Sequence, residues 1–414
     1  GARSATVSPD GKQIAFLYRG EVFVTSVDYA TTKQITHTPS AEQGLSFAPD
    51  NRSLAYSTER NGNWELVIAT IERKDDPNFP NATLIKEEII IPSDKFERSY
   101  PQYSPDGKEL AFIQDRRKLM VVNLETKKVR QITDGSFWPS TGGRFEYQWS
   151  PDGKWFTLCF TGNKHDPYYD IGLVWARGGK ITNLTNSGYT SGSPAWTMDG
   201  NAILFTSERY GMRNHASWGS MEDVFLCFVN QDAYDKYRLS KEDYELLKEV
   251  EKEQEKLKKN ADKKDAKKDD DKKDDKKDAV KDIVMELDGI QDRIVRLTPN
   301  SSSLGSAIID KKGETLYYTA SFEKGMDLWK LDLRKKEVKL ATKNVGYANF
   351  EMSKDGKNIF LLGGKMQKMD AASGKLTPIS YNANLEMDLA AEREAMFDHV
   401  YQQQKKRFYN VNMH

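Results

Sequence analysis

A short basic segment contains the residues of this sequence best suited to binding a ligand: Asp115-Arg116-Arg117-Lys118. Adjacent guanidinium groups present forked sets of N–H donors, which match the two oxygens of a carboxylate. Apolar runs typical of strands flank the segment, so we expect it to form a hairpin. Arg116 and Arg117 are therefore our candidate substrate-binding residues. A solvated basic hairpin explains the same residues, and the sequence leaves both interpretations open.

The usual sequence signatures of catalysis and metal binding do not occur in the chain. It has no Gly-x-Ser-x-Gly motif, no P-loop, no Gly-x-Gly-x-x-Gly motif and no Cys-x-x-Cys pair. No two histidines are spaced as a metal-binding pair; they are His37, His165, His215, His399 and His414. Polar and aromatic residues at 165–170 and 214–219 could line a site or form ordinary loops. We therefore predict no catalytic residue, no metal ligand and no cofactor.

A short turn recurs seven times and indicates what holds these residues in place. Four copies read Ser-Pro-Asp-Gly or Ser-Lys-Asp-Gly and three are looser; their aspartates are Asp10, Asp50, Asp106, Asp152, Asp199, Asp310 and Asp355. The steps between them are 40, 56, 46, 47, 111 and 45 residues. A period of roughly 40–50 residues is that of a β-propeller blade, and the long step contains an insertion.

Each repeat has the composition of a small antiparallel sheet. Proline presets φ, aspartate hydrogen-bonds the nearby backbone and glycine accepts positive φ, so the turn suits a tight hairpin. Apolar runs at 14–18 and 22–24 follow the first turn, and the triplet Gln34-Ile35-Thr36 closes the unit. The triplet returns at 131–133, 183–185 and 296–298. We predict an all-β fold, a seven-bladed β-propeller of four-stranded antiparallel blades, in which neighbours must stack to bury their apolar faces.

The order of strands at the two ends predicts how the ring closes. The chain begins with the strand before the first turn, and the last blade has its closing strand near 376–379. Every blade then comes from contiguous sequence. We expect the ring to close without a blade shared by both termini, which makes it easier to open than a clasped ring.

Charge and composition limit the classes of partner. The chain has 62 basic and 62 acidic residues, so no overall field favours nucleic acid. No apolar run approaches the length of a membrane span. Cys159 and Cys227 lie in apolar, strand-like runs and are expected to be buried free thiols.

One highly charged segment interrupts the fifth blade. Residues 241–282 contain 15 lysines and 16 acidic residues in 42 positions. Such a segment cannot bury a core, so we expect a charged helical or disordered insertion over 231–290, between the last two strands of blade five. It could be a docking arm for a partner or simply a tolerated loop insertion.

After Tyr381 the pattern changes from strand to helix. Acidic residues begin the segment and basic residues end it, as the helix dipole favours. One apolar stripe runs along it, formed by Leu389, Met396, Phe397, Val400 and Tyr401. We assign 1–381 to the propeller and 382–414 to a C-terminal helix that begins a truncated helical domain. If a domain is missing, the stripe should be exposed; if the chain is complete, it should be covered.

Several segments resemble a known family. The Ser-Pro-Asp-Gly repeats with their Gly-Glu-Val-Phe and Gln-Ile-Thr strands, residues 286–297 and residues 322–329 resemble the second propeller of tricorn-type serine peptidases. Residues 393–399 and 408–414 resemble the start of that family's first helical core domain. The repeats by themselves are WD40-like and TolB-like and are shared by many propellers.

The resemblance implies a larger protein with helical core, PDZ and serine-peptidase domains. Its propellers are thought to guide peptides or unfolded polypeptides to, or products from, an enclosed active site. No catalytic role carries over to this chain, because the catalytic residues lie beyond it and His399 and His414 match only the domain start. The family uses basic residues to hold a peptide's terminal carboxylate, and the resemblance therefore makes Arg116 and Arg117 candidates for this role. A cytoplasmic location and possible homo-oligomers are also implied; a periplasmic location is the alternative if a signal peptide has been removed.

A second hypothesis belongs to a different class. A stand-alone TolB-like propeller would bind a protein partner through one face and act as a scaffold. Cover or exposure of the apolar stripe of the C-terminal helix distinguishes the two hypotheses.

Overall fold

The computed structural model describes residues 2–138, 143–162, 168–212, 221–265 and 281–407. Over these residues the chain forms seven four-stranded antiparallel sheets, each in sequential strand order. The seven-bladed propeller predicted from the turn spacing is confirmed.

The strands of the first four blades follow the turns closely. Blade one has β1 (Arg3–Val7), β2 (Gln13–Tyr18), β3 (Glu21–Ser26) and β4 (Thr32–Gln34); blade two has β5 (Glu42–Phe47), β6 (Ser53–Thr58), β7 (Glu65–Ile71) and β8 (Ile85–Ile89). Blade three has β9 (Arg98–Tyr103), β10 (Glu109–Gln114), β11 (Lys118–Asn123) and β12 (Val129–Gln131); blade four has β13 (Tyr147–Trp149), β14 (Trp155–Phe160), β15 (Asp170–Trp175) and β16 (Thr182–Asn183).

The last three blades include the insertion and lead to the C-terminal helix. Blade five has β17 (Ser191–Thr197), β18 (Ala202–Ser207), β19 (Asp223–Phe228) and β20 (Ile294–Arg296); blade six has β21 (Ser303–Ile309), β22 (Thr315–Ser321), β23 (Asp327–Asp332) and β24 (Glu337–Thr342); blade seven has β25 (Ala348–Met352), β26 (Asn358–Gly363), β27 (Gln367–Asp370) and β28 (Leu376–Pro378). Between β19 and β20 lie α1 (Gln231–Arg238) and α2 (Lys241–Asp265), and α3 (Leu389–Arg407) follows the last blade.

The recurring turn is held by its own serine and aspartate. In the first copy the Ser8 hydroxyl donates to Asp10 at 2.6 Å and accepts the Gln13 N–H at 3.0 Å. Asp10 also accepts the Lys12 N–H at 3.0 Å, and Gly11 has a φ of +73°. The same bonds recur at Ser104, Ser150 and Ser353. In these four blades the turn therefore starts the second strand with its polar groups satisfied.

Apolar clusters fill the space between neighbouring sheets all around the ring. One cluster joins blades one and two, and others join each later pair up to blades six and seven. Phe16, Phe23 and Phe360 belong to the cluster that joins blade seven to blade one. Burying such side chains stabilises the fold by about 1.5–3 kcal/mol each.

The ring closes between blades drawn from opposite ends of the chain. Strands β1–β4 form one sheet and β25–β28 another, so each terminal blade comes from contiguous sequence, as predicted. The Glu351 carboxylate of blade seven accepts the Val7 N–H at 2.8 Å and the Thr6 hydroxyl at 3.0 Å. The Lys354 N–H donates to the Pro9 carbonyl at 2.8 Å. Closure therefore depends on side chains and turns.

No helix within the described ranges combines the length and the apolar character that crossing a membrane requires.

Candidate functional site

The segment that contains Arg116 and Arg117 is the hairpin between β10 and β11. Asp115 and Arg116 have φ values of +51° and +63°, in the left-handed region that tight hairpin turns commonly use. The Arg117 N–H donates to the Gln114 carbonyl at 3.1 Å. Hairpins between the second and third strands lie on the side of the ring opposite the aspartate turns. We call these two sides the hairpin face and the Asp-turn face.

The two arginines point to different partners. Arg116 donates to the Gln403 side chain of α3 at 3.0 Å and lies 3.6 Å from the Glu97 carboxylate. Arg117 donates through Nε to the Gly135 carbonyl at 3.1 Å. The side chain of Arg116 is only 16% exposed. The hairpin therefore does not present a matched pair of arginines, and Arg117 is the better placed of the two to meet a ligand.

Arg117 lines an open cavity of about 380 Å³ together with Lys118, Asp134 and Ser136. A neighbouring cavity of about 490 Å³ shares Asp134 and Ser136 and adds Arg177 and Lys180. We call the two together the basic groove. Hydrogen bonds from the N–H and hydroxyl of Ser136 hold the pKa of Asp134 below its usual value. Basic residues outnumber acidic ones in the groove: Arg117, Lys118, Arg177 and Lys180 line it, against Asp115 and Asp134. The groove can therefore accept an anionic group.

A second repeated contact shows why the groove is basic. In blade four the Thr185 hydroxyl accepts the Ile171 N–H at 3.1 Å and donates to Asp170 at 2.6 Å. Blades one and five repeat this arrangement with Thr36 and Glu21 and with Thr298 and Asp223.

Blade three keeps the threonine and loses the acid. The Thr133 hydroxyl accepts the Leu119 N–H at 2.9 Å, but Lys118 occupies the position of the carboxylate. Sequence reasoning missed this, although the signal was present: lysine opens the third strand of blade three where five other blades have an acid.

The C-terminal helix lies on the hairpin face across blades one to three. Glu392 pairs with Arg19 at 3.3 Å, and His399 contacts Glu59 at 2.5 Å. Lys406 pairs with Glu97 at 2.6 Å. The side of α3 that meets the ring is therefore polar.

The apolar stripe of α3 points away from these contacts. Its exposed fractions are 54% for Leu389, 61% for Met396, 71% for Phe397, 65% for Val400 and 48% for Tyr401. The stripe predicted from the sequence is thus exposed in this chain.

A buried carboxyl network lies at the junction of blades one and two on the same face. Desolvation raises the pKa of Glu42 to about 8 and that of Glu21 to about 7. Arg60 pairs with Glu87 at 2.6 Å and lies 3.6 Å from Glu42. Although burial opposes it, hydrogen bonds from Arg60 and Tyr56 hold the pKa of Glu87 below its usual value. Close hydrogen bonding and charge pairing indicate a structural network that supports the surface under α3.

Other candidates give no catalytic arrangement in the described part of the chain. Cys159 and Cys227 are buried and free, and desolvation raises the pKa of both thiols. No group of three or more histidine, cysteine or acidic side chains among the described residues is arranged to hold a metal ion. Asp170 binds Thr185, as above, but His165 and the segment 214–219 lie outside the described residues.

Known proteins that resemble this chain include peptidases. No family model matches it. An uncharacterized peptidase of Bacillus subtilis, YuxL, is 30% identical over 115 residues, which are 26% of this chain and 16% of that protein. The crystal structure of the tricorn protease gives a TM-score of 0.69 at 14% identity and covers 99% of this chain and 37% of that one. A puromycin-hydrolyzing peptidase of Mycobacterium tuberculosis gives 0.57 at 10% identity, covering 93% of this chain and 53% of that one.

These similarities concern the fold and only part of the length of each known protein. The chain spans well under two thirds of the length of each of the three proteins. Structural likeness at 10–14% identity is a likeness of fold. This chain is therefore a seven-bladed propeller whose fold is similar, over nearly its whole length, to part of the tricorn protease.

Proposed function

We propose that this chain is the non-catalytic propeller portion of a tricorn-like serine peptidase and guides peptides toward an active site outside it. The observation that carries the proposal is the structural likeness to the tricorn protease over 99% of the chain. The short match to a Bacillus subtilis peptidase is consistent with it. In this role the ring admits extended or unfolded polypeptide and excludes folded proteins.

The basic groove is the proposed point of peptide contact. Arg117 and Lys118 offer charge-assisted donors to a terminal carboxylate, and such bonds are roughly twice as strong as neutral ones. Arg116 has a supporting role, because it is held between Glu97 and Gln403. Peptides with a free C-terminus are the proposed ligands.

The exposed stripe of α3 is the proposed contact for the rest of such a peptidase. Leu389, Phe397 and Val400 would pack against a helical core domain, with PDZ and peptidase domains beyond. Homo-oligomers and a cytoplasmic location belong to the same proposal. The alternative, a stand-alone scaffold that binds a protein partner, uses the same exposed stripe, since an open apolar surface suits either partner.

Peptide binding tests the proposal directly. We expect labelled peptides with a free C-terminus to bind the purified chain more tightly than their amidated forms, by fluorescence anisotropy. Arg117→Ala should reduce the affinity for the free form about tenfold and leave the amidated form unchanged, because a charge-assisted bond contributes about 1.5–3 kcal/mol. Arg73→Ala removes an exposed arginine on another blade and is the matched control.

Two results would count against the proposal. Equal affinity of the unmodified chain for free and amidated peptides would remove the carboxylate anchor. Robust peptide cleavage by the chain alone, inhibited by a serine-directed reagent, would contradict its non-catalytic role.

A further inference from the structure

The first strands of neighbouring blades are joined by a contact that repeats around the ring. It comes from the residue four positions before the turn aspartate. Ser46 accepts the Tyr103 N–H at 3.1 Å, and Gln148 accepts the Trp196 N–H at 2.7 Å. Gln102, Ser306 and Glu351 hold the same position and also bind the next blade. We call this contact the inner tie.

Blade five lacks the inner tie. Its residue at this position is Ala195, whose methyl group cannot accept a hydrogen bond. Within the described ranges, no hydrogen bond joins β17 to β21 or the Asp199 turn to the Asp310 turn. Backbone bonds between Glu222 and Ser302 hold only the segment that leads into β21. The junction of blades five and six therefore rests mainly on its apolar cluster.

Blade one also lacks an inner tie to blade two, because Thr6, which holds the tie position, donates to Glu351 of blade seven. A contact between the turns of blades one and two replaces the tie. Asn51, in the turn of blade two, accepts the Asp10 N–H at 2.9 Å through its side chain and the Gln13 amide at 3.1 Å through its carbonyl. No equivalent turn contact is found at blades five and six among the described residues.

The charged insertion supplies contacts at that junction. Helix α1 packs on blade five, where Tyr237 lies 5.0 Å from the Phe228 ring. Arg334, in the turn between β23 and β24 of blade six, donates to the carbonyls of Tyr237 at 2.8 Å and Leu239 at 2.7 Å. Its guanidinium also lies 4.0 Å from the Tyr244 ring of α2. The start of the insertion is thus bound to both blades.

A salt bridge extends this attachment along α2. Lys248 pairs at 2.6 Å with Glu314, which follows the Asp310 turn of blade six. The bond raises the pKa of Lys248. Both side chains are about one third exposed, so this pair alone would contribute little. Arg334 is the central contact.

The end of the insertion is attached on the other side. The Ile283 N–H donates to Asp152 of blade four at 3.0 Å, and Lys154 pairs with Asp282 at 2.6 Å. The described parts of the insertion therefore contact blades four, five and six, all on the Asp-turn face. A loop that is merely tolerated would not need anchors on three blades.

We propose that the insertion is a clamp that holds blade six to blade five in place of the missing inner tie, and that the ring opens at this junction when the clamp is released. The proposal does not depend on peptide binding. It concerns the conformation of the ring, whatever the ring transports or binds.

Paired spin labels test the clamp. One pair, at Asp199→Cys and Lys312→Cys, spans blades five and six; the other, at Lys12→Cys and Lys354→Cys, spans blades seven and one. All four positions are exposed, and both native thiols are buried. In the Arg334→Ala/Lys248→Ala variant we expect the first distance distribution to lengthen and broaden while the second stays unchanged. Lys127→Ala, which breaks the Glu88 pair between blades two and three, is the control and should change neither.

Further measurements keep the test decisive. Unchanged distances across blades five and six, or equal broadening across both junctions, would overturn the proposal. If the double variant does not fold, Arg334→Lys, which keeps the charge and loses the fork, replaces it with the same expected direction. Adding Ala195→Ser should restore a tie like that of Ser46 and narrow the distribution again; failure to narrow it would overturn the claim that the clamp replaces the tie. Peptide affinity, measured separately, bears only on the proposed function.

Discussion

At the scale of single residues, the repeated closing triplet has a physical reason. Its threonine hydroxyl accepts an N–H from the third strand and donates to the acid that opens that strand, as Thr185 does with Ile171 and Asp170. Asp170 is 1% exposed, so it needs these partners. The triplet could be read from the sequence. Its partner could not, because the acid lies 15 positions earlier in blade four and 75 in blade five.

Replacing this threonine should lower the free energy of unfolding more in a blade that has the acid than in a blade that lacks it. Thr185→Val keeps the shape and removes the hydroxyl, leaving the Ile171 N–H unpaired and Asp170 short of one donor. We expect a loss of about 1–3 kcal/mol in the free energy of unfolding, measured by chemical denaturation. Thr133→Val in blade three, where Lys118 replaces the acid, is the matched control, and its free energy of unfolding should fall by less. Equal losses would show that the carboxylate does not contribute.

At the scale of elements, α3 reverses the usual arrangement of an amphipathic helix. Its charged side meets the ring and its apolar side meets solvent, because the hairpin face presents Arg19, Glu59, Glu97 and Arg116. The sequence predicted the helix and the stripe. It did not indicate which side would face the ring, since the partners come from loops of three different blades.

An attachment of this kind should respond to salt. Lys406→Ala combined with Arg19→Ala removes two ion pairs, each contributing about 0.2–1 kcal/mol. We expect amide hydrogen exchange in α3 to rise several-fold, because a helix of this length is marginal once detached. High salt should produce the same effect in the unmodified chain. Lys405→Ala, an exposed neighbour on α3, is the control; equal exchange in all variants would mean that the ion pairs do not hold the helix.

At the scale of the whole molecule, turn spacing predicts the number of blades but not the strength of each junction. Each blade forms its own sheet from local hairpins, so its signal is contiguous in the sequence. The junctions depend on pairs such as Ser46 with Tyr103 and Glu351 with Val7, which are distant along the chain. In the sequence, Ala195 does not by itself indicate a weaker junction. Its consequence is visible only when the structure shows the inner ties that other blades form from the same position.

The hydrogen bonds by which Glu351 joins blade seven to blade one can be tested through the pH dependence of stability. Desolvation raises the pKa of Glu351 from 4.5 to about 7, so the folded state holds a proton that the unfolded state releases. This contribution to stability is complete below pH 4.5 and is lost as the pH rises through about 7. Glu351→Gln keeps an acceptor for the Val7 N–H without a titrating group, so its stability should vary less with pH over that window. Glu351→Ala leaves the N–H unpaired and should lower the free energy of unfolding by about 1–3 kcal/mol at low pH, and this loss should shrink as the pH rises and the unmodified chain loses its own contribution from Glu351. Thermal or chemical unfolding at several pH values measures both effects. If the two variants behave alike, the hydrogen bonds of Glu351 do not close the ring, and the apolar cluster around Phe16 and Phe360 is sufficient.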